Sequence, residues 1–324
     1  MGSRLGRLIS SSLFLALVMS GCSSTDGEGL LVRGVETIQA AVIQNVPAFS
    51  SEPNLGRPLA AATSEEMFVT QQAVSALDPT ESPGNRCPDA EGRVLQSSYP
   101  AILSGDPIPV IVYLPPCYDP YLQVYPVLFL LHGKPQDQRH WMLLGIDKLV
   151  DQGIQERAWP PFVMVMPQQP EPLFTDSDGG PGTLEQEFMQ GLIPFILDRY
   201  AITGDGTQWG IAGISRGGVW ALEIGIQNPD QFHAVAALSP ALNVNRARPL
   251  YDPLLMFTED RAIPAKIFLG AGELDSARAK TWELAEILVD QGTDSRYLEV
   301  QGSHESATWI RIIPEMLSFI TSDW

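Results

Sequence analysis

Two hydrophobic periods alternate along residues 93–321. YPVLFLLHG (125–133) and PFVMVMP (161–167) are short, nearly continuous apolar runs bounded by proline and glycine. They read as strands buried on both faces, because a strand with one wet face would alternate apolar and polar positions. TQWGIAG, HAVAALSP, AKIFLGAG and RYLEVQG continue the series, and RVLQSSYP with IPVIVYLP reads as an antiparallel pair at one edge. Between them GIDKLVDQGIQERA, TLEQEFMQGLIPFILDRY, RGGVWALEIGIQ, ARAKTWELAEILVDQG and TWIRIIPEMLSFI carry the helical period. This alternation predicts an α/β fold, a doubly wound and mostly parallel sheet with helices on both faces. Ligands of such sheets bind at the carboxyl ends of the strands, so the loops there are where chemistry is expected.

The N-terminus has another pattern. Arg4 and Arg7 precede the apolar LISSSLFLALV, which is too short for a stable membrane span, and MSGCSS follows. Ser20, Gly21 and Cys22 resemble the lipobox of bacterial lipoproteins, in which cleavage precedes the cysteine and its thiol carries a diacylglycerol. Residues 1–21 are therefore expected to be a signal peptide and Cys22 the lipid attachment point. Residues 22–85, which include the Pro/Gly/Ser-rich ALDPTESPGNR, read as a tether, and residues 86–324 as the folded domain. The expected location is outside the cytoplasm, anchored to the bacterial cell membrane.

Charge and cysteine usage fit that location. The chain carries 20 basic against 38 acidic side chains, a formal −18, which repels nucleic-acid backbones. Of 3 cysteines, one is assigned to lipid. Cys87 and Cys117 remain, and outside the cytoplasm they are expected to form a disulfide. Closing that loop would stabilise the fold by about 3–4 kcal/mol.

Candidate chemistry centres on WGIAGISRGGVWALEIG. Ser215 stands between Gly213 and Gly217 at the spacing G-x-S-x-G, where a strand pattern gives way to a helix pattern. That context is a nucleophile elbow, with the helix N-terminus offering N–H groups to a developing oxyanion. A serine needs a base. Of 4 histidines, only His304 follows the serine in a loop at the carboxyl edge; His132 and His140 lie after an earlier strand, and His233 enters a strand at the opposite edge. The order serine, acid, histidine places the acid after AKIFLGAG, in ELDSAR. Glu273 and Asp275 are both candidates, and Asp275 is preferred because its position carries it past the strand end.

Taken together, YLPPCYDP, YPVLFLLHGKPQDQRHW, GLIPFILDRY, GIAGISRGG, GAGELD and GSHESATW resemble the esterase D-like group of the α/β-hydrolase superfamily over residues 92–322. That group includes S-formylglutathione hydrolases, feruloyl and acetyl-xylan esterases, siderophore esterases and mycolyltransferases. The resemblance implies Ser215 as nucleophile, His304 as base and Asp275 as orienting acid. It also implies an oxyanion hole from the backbone N–H groups of Lys134 and Arg216, and a structural role for His132. HGKPQDQ lacks a second glycine that many members carry. The Arg216 side chain is expected to form a local salt bridge, the alternative being contact with an acidic substrate group.

TDSDGGPGTLEQE sets Asp176, Asp178 and Glu187 at positions one, three and twelve of a calcium loop, but Pro181 stands where glycine is required. It reads instead as a mobile loop bordering the substrate pocket. Trp141 and Trp309 are candidate pocket residues whose default role is core packing. The reading is thus an anchored serine esterase acting on a small-molecule, glycan or lipid ester, with no metal or organic cofactor and no nucleic-acid partner. An acyltransferase on the same residues and a non-catalytic binding lipoprotein are its rivals.

Overall fold

The computed structural model describes residues 89–244, 246–257 and 261–324. The expected signal peptide, the lipidation site Cys22, the tether and Cys87 lie outside the described residues, so the pairing of Cys117 with Cys87 stays an expectation.

Eight strands are formed: β1 (Arg93–Pro100), β2 (Pro107–Leu114), β3 (Val127–Leu131), β4 (Val163–Pro167), β5 (Trp209–Ile214), β6 (Ala234–Leu238), β7 (Lys266–Gly272) and β8 (Asp294–Val300). They make one sheet in the order β1-β2-β4-β3-β5-β6-β7-β8. The expected pair β1–β2 is antiparallel at one edge, and β2 joins β4 antiparallel; every pairing from β4 to β8 is parallel. All residues of β3 to β7 are buried, which explains their unbroken apolar runs, whereas β1 is largely exposed as an edge strand.

Alternate side chains of each strand enter two different layers. Val127, Phe129, Leu131 and Ile211 pack in one apolar cluster with Trp220 and Leu222 of helix Arg216–Gln227 and with Leu284 and Leu288 of helix Arg278–Asp290. The alternate positions meet helix Ser306–Thr321: a side-chain carbon at Gly210 would lie 3.0 Å from both Ile320 and Leu128, and the Phe268 and Phe319 rings are 5.9 Å apart. Helices thus cover both faces. Because these strands run parallel, the loops after β3, β5, β6, β7 and β8 lie at one edge of the sheet.

Candidate active site

β5 ends directly in Ser215, and helix Arg216–Gln227 begins at the next residue. The turn is so sharp that Ser215 adopts φ 55° and ψ −116°, a conformation that costs an L-residue roughly 1–3 kcal/mol. The flanking glycines make it sterically possible. A Cβ on Gly213 would come within 2.0 Å of the Gly217 carbonyl oxygen, and one on Gly217 within 2.3 Å of the His132 carbonyl oxygen. The strained backbone is held by its neighbours: Ser215 N–H donates to Leu238 O (2.9 Å), and Gly218 and Ala241 donate to Ser215 O (both 3.1 Å).

The loops after β7 and β8 bring a histidine and a carboxylate to this serine. Their backbones are paired, Glu273 N–H donating to Val300 O and Leu274 N–H to Gly302 O, both at 2.9 Å. Asp275 Oδ1 and Oδ2 lie 2.9 and 3.1 Å from His304 Nδ1, and His304 Nε2 lies 3.0 Å from Ser215 Oγ. Glu273 is exposed and outside this line of contacts.

The Asp275 side chain is fully buried, whereas that of His304 is 36% exposed. Burial alone would raise the Asp275 pKa. Hydrogen bonds from His304, the Ser239 hydroxyl and the Ala277 backbone N–H (2.8 Å) outweigh it and hold the carboxyl below the usual carboxylate range. An ionised carboxylate only accepts, so His304 donates through Nδ1, and in the neutral ring Nε2 then presents a lone pair toward Ser215. The Trp309 ring stands edge-on to His304 with centroids 5.2 Å apart, and its Nε1–H donates to Ser239 Oγ at 3.0 Å. Trp309 is therefore both packed and adjacent to the site, while Trp141 is core, its Nε1–H bound to Leu131 O at 3.1 Å.

The other histidines have different partners. His132 Nδ1 donates to Gly133 O (2.9 Å) and its Nε2 accepts from Gln169 N–H (3.0 Å), a neutral ring bracing the loop after β3. Burial lowers its pKa. His140 is also buried, which with the neighbouring His132 lowers its pKa to about 4; its Nδ1 accepts from Gly133 N–H at 3.3 Å. His233 meets Asp323 at 3.3 Å, before β6 and away from the serine. The braced loop runs beside Ser215: a Cβ on Gly133 would sit 3.3 Å from Ser215 Cβ. Lys134 follows it, and Arg216 opens the elbow helix, where first-turn N–H groups lack intrahelical acceptors.

The Arg216 side chain departs from the expected salt bridge. It is buried, and its Nε donates to Phe174 O (3.0 Å), while Nη2 reaches Thr175 O, Asp176 O and Ser177 Oγ. The buried carboxyl nearby, Glu223, is pushed up to about 9 by burial and by Glu185, so it is uncharged at neutral pH. Residues 175–187 are correspondingly tied down. Asp178 pairs with Arg248 (2.6 Å), Gly180 N–H with Glu185 (2.6 Å), and Glu187 accepts from Ile102 and Leu103 N–H (3.1 and 3.0 Å). Each of these carboxylates is thereby taken by a partner, and among the described residues no group of three or more His, Cys, Asp or Glu could hold a metal ion.

Ser239 and the hold of Arg216 on residues 174–177 had no sequence signal: one is a buried strand-end residue, the other joins a side chain to carbonyls about forty positions earlier in the chain.

Comparison with known proteins agrees with this architecture. An endo-1,4-beta-xylanase/feruloyl esterase of Xylanibacter ruminicola is 26% identical over 234 residues, 69% of this chain and 31% of that protein. The chain spans only 12 to 54% of the length of the curated relatives it matches. Among solved structures, a ferulic acid esterase superposes with a TM-score of 0.65 at 21% identity, covering 72% of this chain and 99% of that one. The S-formylglutathione hydrolase of Staphylococcus aureus does so at 0.60 and 16%, covering 71% and 99%. At such identities these two likenesses concern the fold. The family model described as "Putative esterase" matches residues 102–321, and the chain belongs to that esterase family.

Proposed function

We propose that the protein is a serine hydrolase that cleaves carboxylic esters through an acyl-enzyme. The observation that carries this reading is the continuous line of hydrogen bonds from Ser215 through His304 to the buried, ionised Asp275. Ser215 Oγ attacks the ester carbonyl carbon as its proton passes to His304 Nε2. Asp275 keeps the imidazole in the required tautomer and stabilises the imidazolium. The N–H groups of Lys134 and Arg216 receive the tetrahedral oxyanion. The tetrahedral intermediate collapses by breaking the bond to the alcohol oxygen, which takes the proton from Nε2. Water then attacks the acyl-enzyme by the same route, releasing the acid and restoring Ser215.

The name of the Xylanibacter ruminicola relative makes a feruloyl ester the first natural-type substrate to try. The purified protein is expected to hydrolyse p-nitrophenyl esters of short acids and methyl ferulate, and Ser215→Ala to abolish both activities. Undiminished turnover by Ser215→Ala would refute the mechanism. The lipobox-like MSGCSS supports a lipid anchor at Cys22 outside the cytoplasm, where Cys87 and Cys117 pair as a disulfide. Palmitate labelling in cells should disappear in Cys22→Ala; labelling that survives would rule out the anchor. A non-reducing digest should contain one linked peptide holding Cys87 and Cys117, and two freely alkylated thiols would rule out the bond.

A further inference from the structure

The two residues proposed to supply the oxyanion donors come from different elements, the loop after β3 and the first turn of helix Arg216–Gln227. Their side chains nonetheless converge on one segment, residues 170–177. Lys134 Nζ pairs with Glu171 Oε1 at 2.6 Å and also donates to Thr175 Oγ1, whose own hydroxyl donates to Glu171 Oε2 at 2.5 Å. Arg216 takes the carbonyls of Phe174, Thr175 and Asp176 and the Ser177 hydroxyl. Trp220, one turn further along the elbow helix, donates Nε1–H to the same Phe174 carbonyl at 3.2 Å. The Phe174 ring packs edge-on against His132 at 4.9 Å, two residues before Lys134. Each of these contacts joins the segment to a residue within five positions of a proposed donor, while Phe174 and Leu173 also pack against the core.

This arrangement has a mechanical consequence. β3 ends at Leu131, so no strand ladder fixes Lys134; the loop before it is held at Gly133 by His132 and His140, and its side chain is anchored on Glu171 and Thr175. Arg216 is fixed by the helix on one side and follows a strained serine on the other. A donor displaced by a fraction of an ångström loses much of its worth to a transition state, since oxyanion stabilisation depends on preset geometry. A planar guanidinium meeting three successive carbonyls constrains position and orientation together. The exposed Lys134–Glu171 pair alone would add little to stability. Its place beside a donor gives it a different use.

We propose that residues 170–177 are a positioning segment for the oxyanion hole, and that Lys134 and Arg216 each act twice, as donor through the backbone and as anchor through the side chain. The proposal rests on the ester-hydrolase reading above. Its test is a set of variants, Lys134→Met, Thr175→Val, Arg216→Met and the Lys134→Met/Arg216→Met double, assayed with p-nitrophenyl acetate and a trifluoromethyl ketone. Expected is a kcat loss of about tenfold for Lys134→Met and Thr175→Val and about a hundredfold for Arg216→Met, with KM within about twofold. Affinity for the ketone, which forms the tetrahedral adduct, should fall by the same factor as kcat/KM. Because both anchors act through one segment, the double variant should lose no more than about twofold beyond Arg216→Met. Wild-type kcat in Lys134→Met and Thr175→Val, or losses that appear only in thermal stability, would overturn the proposal. Those two partly exposed sites decide the matter even where Arg216→Met does not fold. Failure of the ester-hydrolase reading looks different: the unaltered protein would then neither turn over the ester nor bind the ketone.

Discussion

Asp275 and Glu223 are both buried carboxylates, and burial raises the pKa of each, yet they end in opposite charge states. Asp275, between β7 and helix Arg278–Asp290, accepts from an imidazole, a hydroxyl and a backbone N–H, and its pKa falls below the ordinary range. Glu223, inside the elbow helix, is fully buried, and neither oxygen has a hydrogen-bond partner among the described residues. Glu185, Asp178 and Asp176 add negative potential that Arg216 only partly offsets, and its pKa rises to about 9. Burial pushes both carboxyls up; three hydrogen-bond donors reverse it at Asp275, whereas at Glu223 no donor does and neighbouring carboxylates add to it.

The largest effect that can sharpen this comparison is expected at the charged member. Asp275→Asn preserves shape but removes the charge that fixes the His304 tautomer. Loss of the orienting acid in a serine protease costs about 10⁴-fold in turnover, so a kcat loss of about 10² to 10⁴ is expected here. Glu273→Gln, at an exposed side chain off the proton path, should cost less than about tenfold. If the Glu273 change proves the more damaging in folded protein, the acid has been misassigned.

A smaller effect, on stability and not on chemistry, is expected at the neutral member. Between the ordinary glutamate pKa of 4.5 and about 9, the native state keeps a proton on Glu223 that the unfolded chain has released. The unfolded state then binds fewer protons, so this group makes stability fall as pH rises through that window. Glu223→Gln is uncharged at every pH and should remove the contribution. Urea midpoints should therefore show the variant gaining on the unaltered protein from pH 5 to pH 8. Parallel pH profiles for the two proteins would show that Glu223 is ionised after all.

Sequence reading reached the fold because its cues are local. Unbroken apolar runs mark β3 to β7, RGGVWALEIGIQ coincides with helix Arg216–Gln227, and the edge strand β1 shows mixed polarity. The meeting of Ser215, His304 and a carboxylate was legible for the same reason, since all three follow strands at one sheet edge. What escaped depends on distant partners. Helix Leu184–Gln186 passes into a π-helical stretch, Glu187–Leu192, in which the Glu187 carboxylate takes Ile102 N–H from 85 positions away. The Arg216 side chain could be guessed to act locally, but nothing nearby in sequence tells that its partners are carbonyls instead of an acid. Ser239, buried at the end of β6, becomes visible only when Trp309 and Asp275 are both seen to face it.

Every other residue role depends on acylation at Ser215 Oγ. The most direct measurement is peptide mapping by mass spectrometry after reaction with a fluorophosphonate, on the unaltered protein and on His304→Ala. One adduct on the peptide containing Ser215 is expected, formed at least about a hundredfold more slowly without the imidazole base, in line with the usual worth of general base catalysis. An adduct on a different residue, or labelling of Ser215 at the same rate in His304→Ala, would contradict the account.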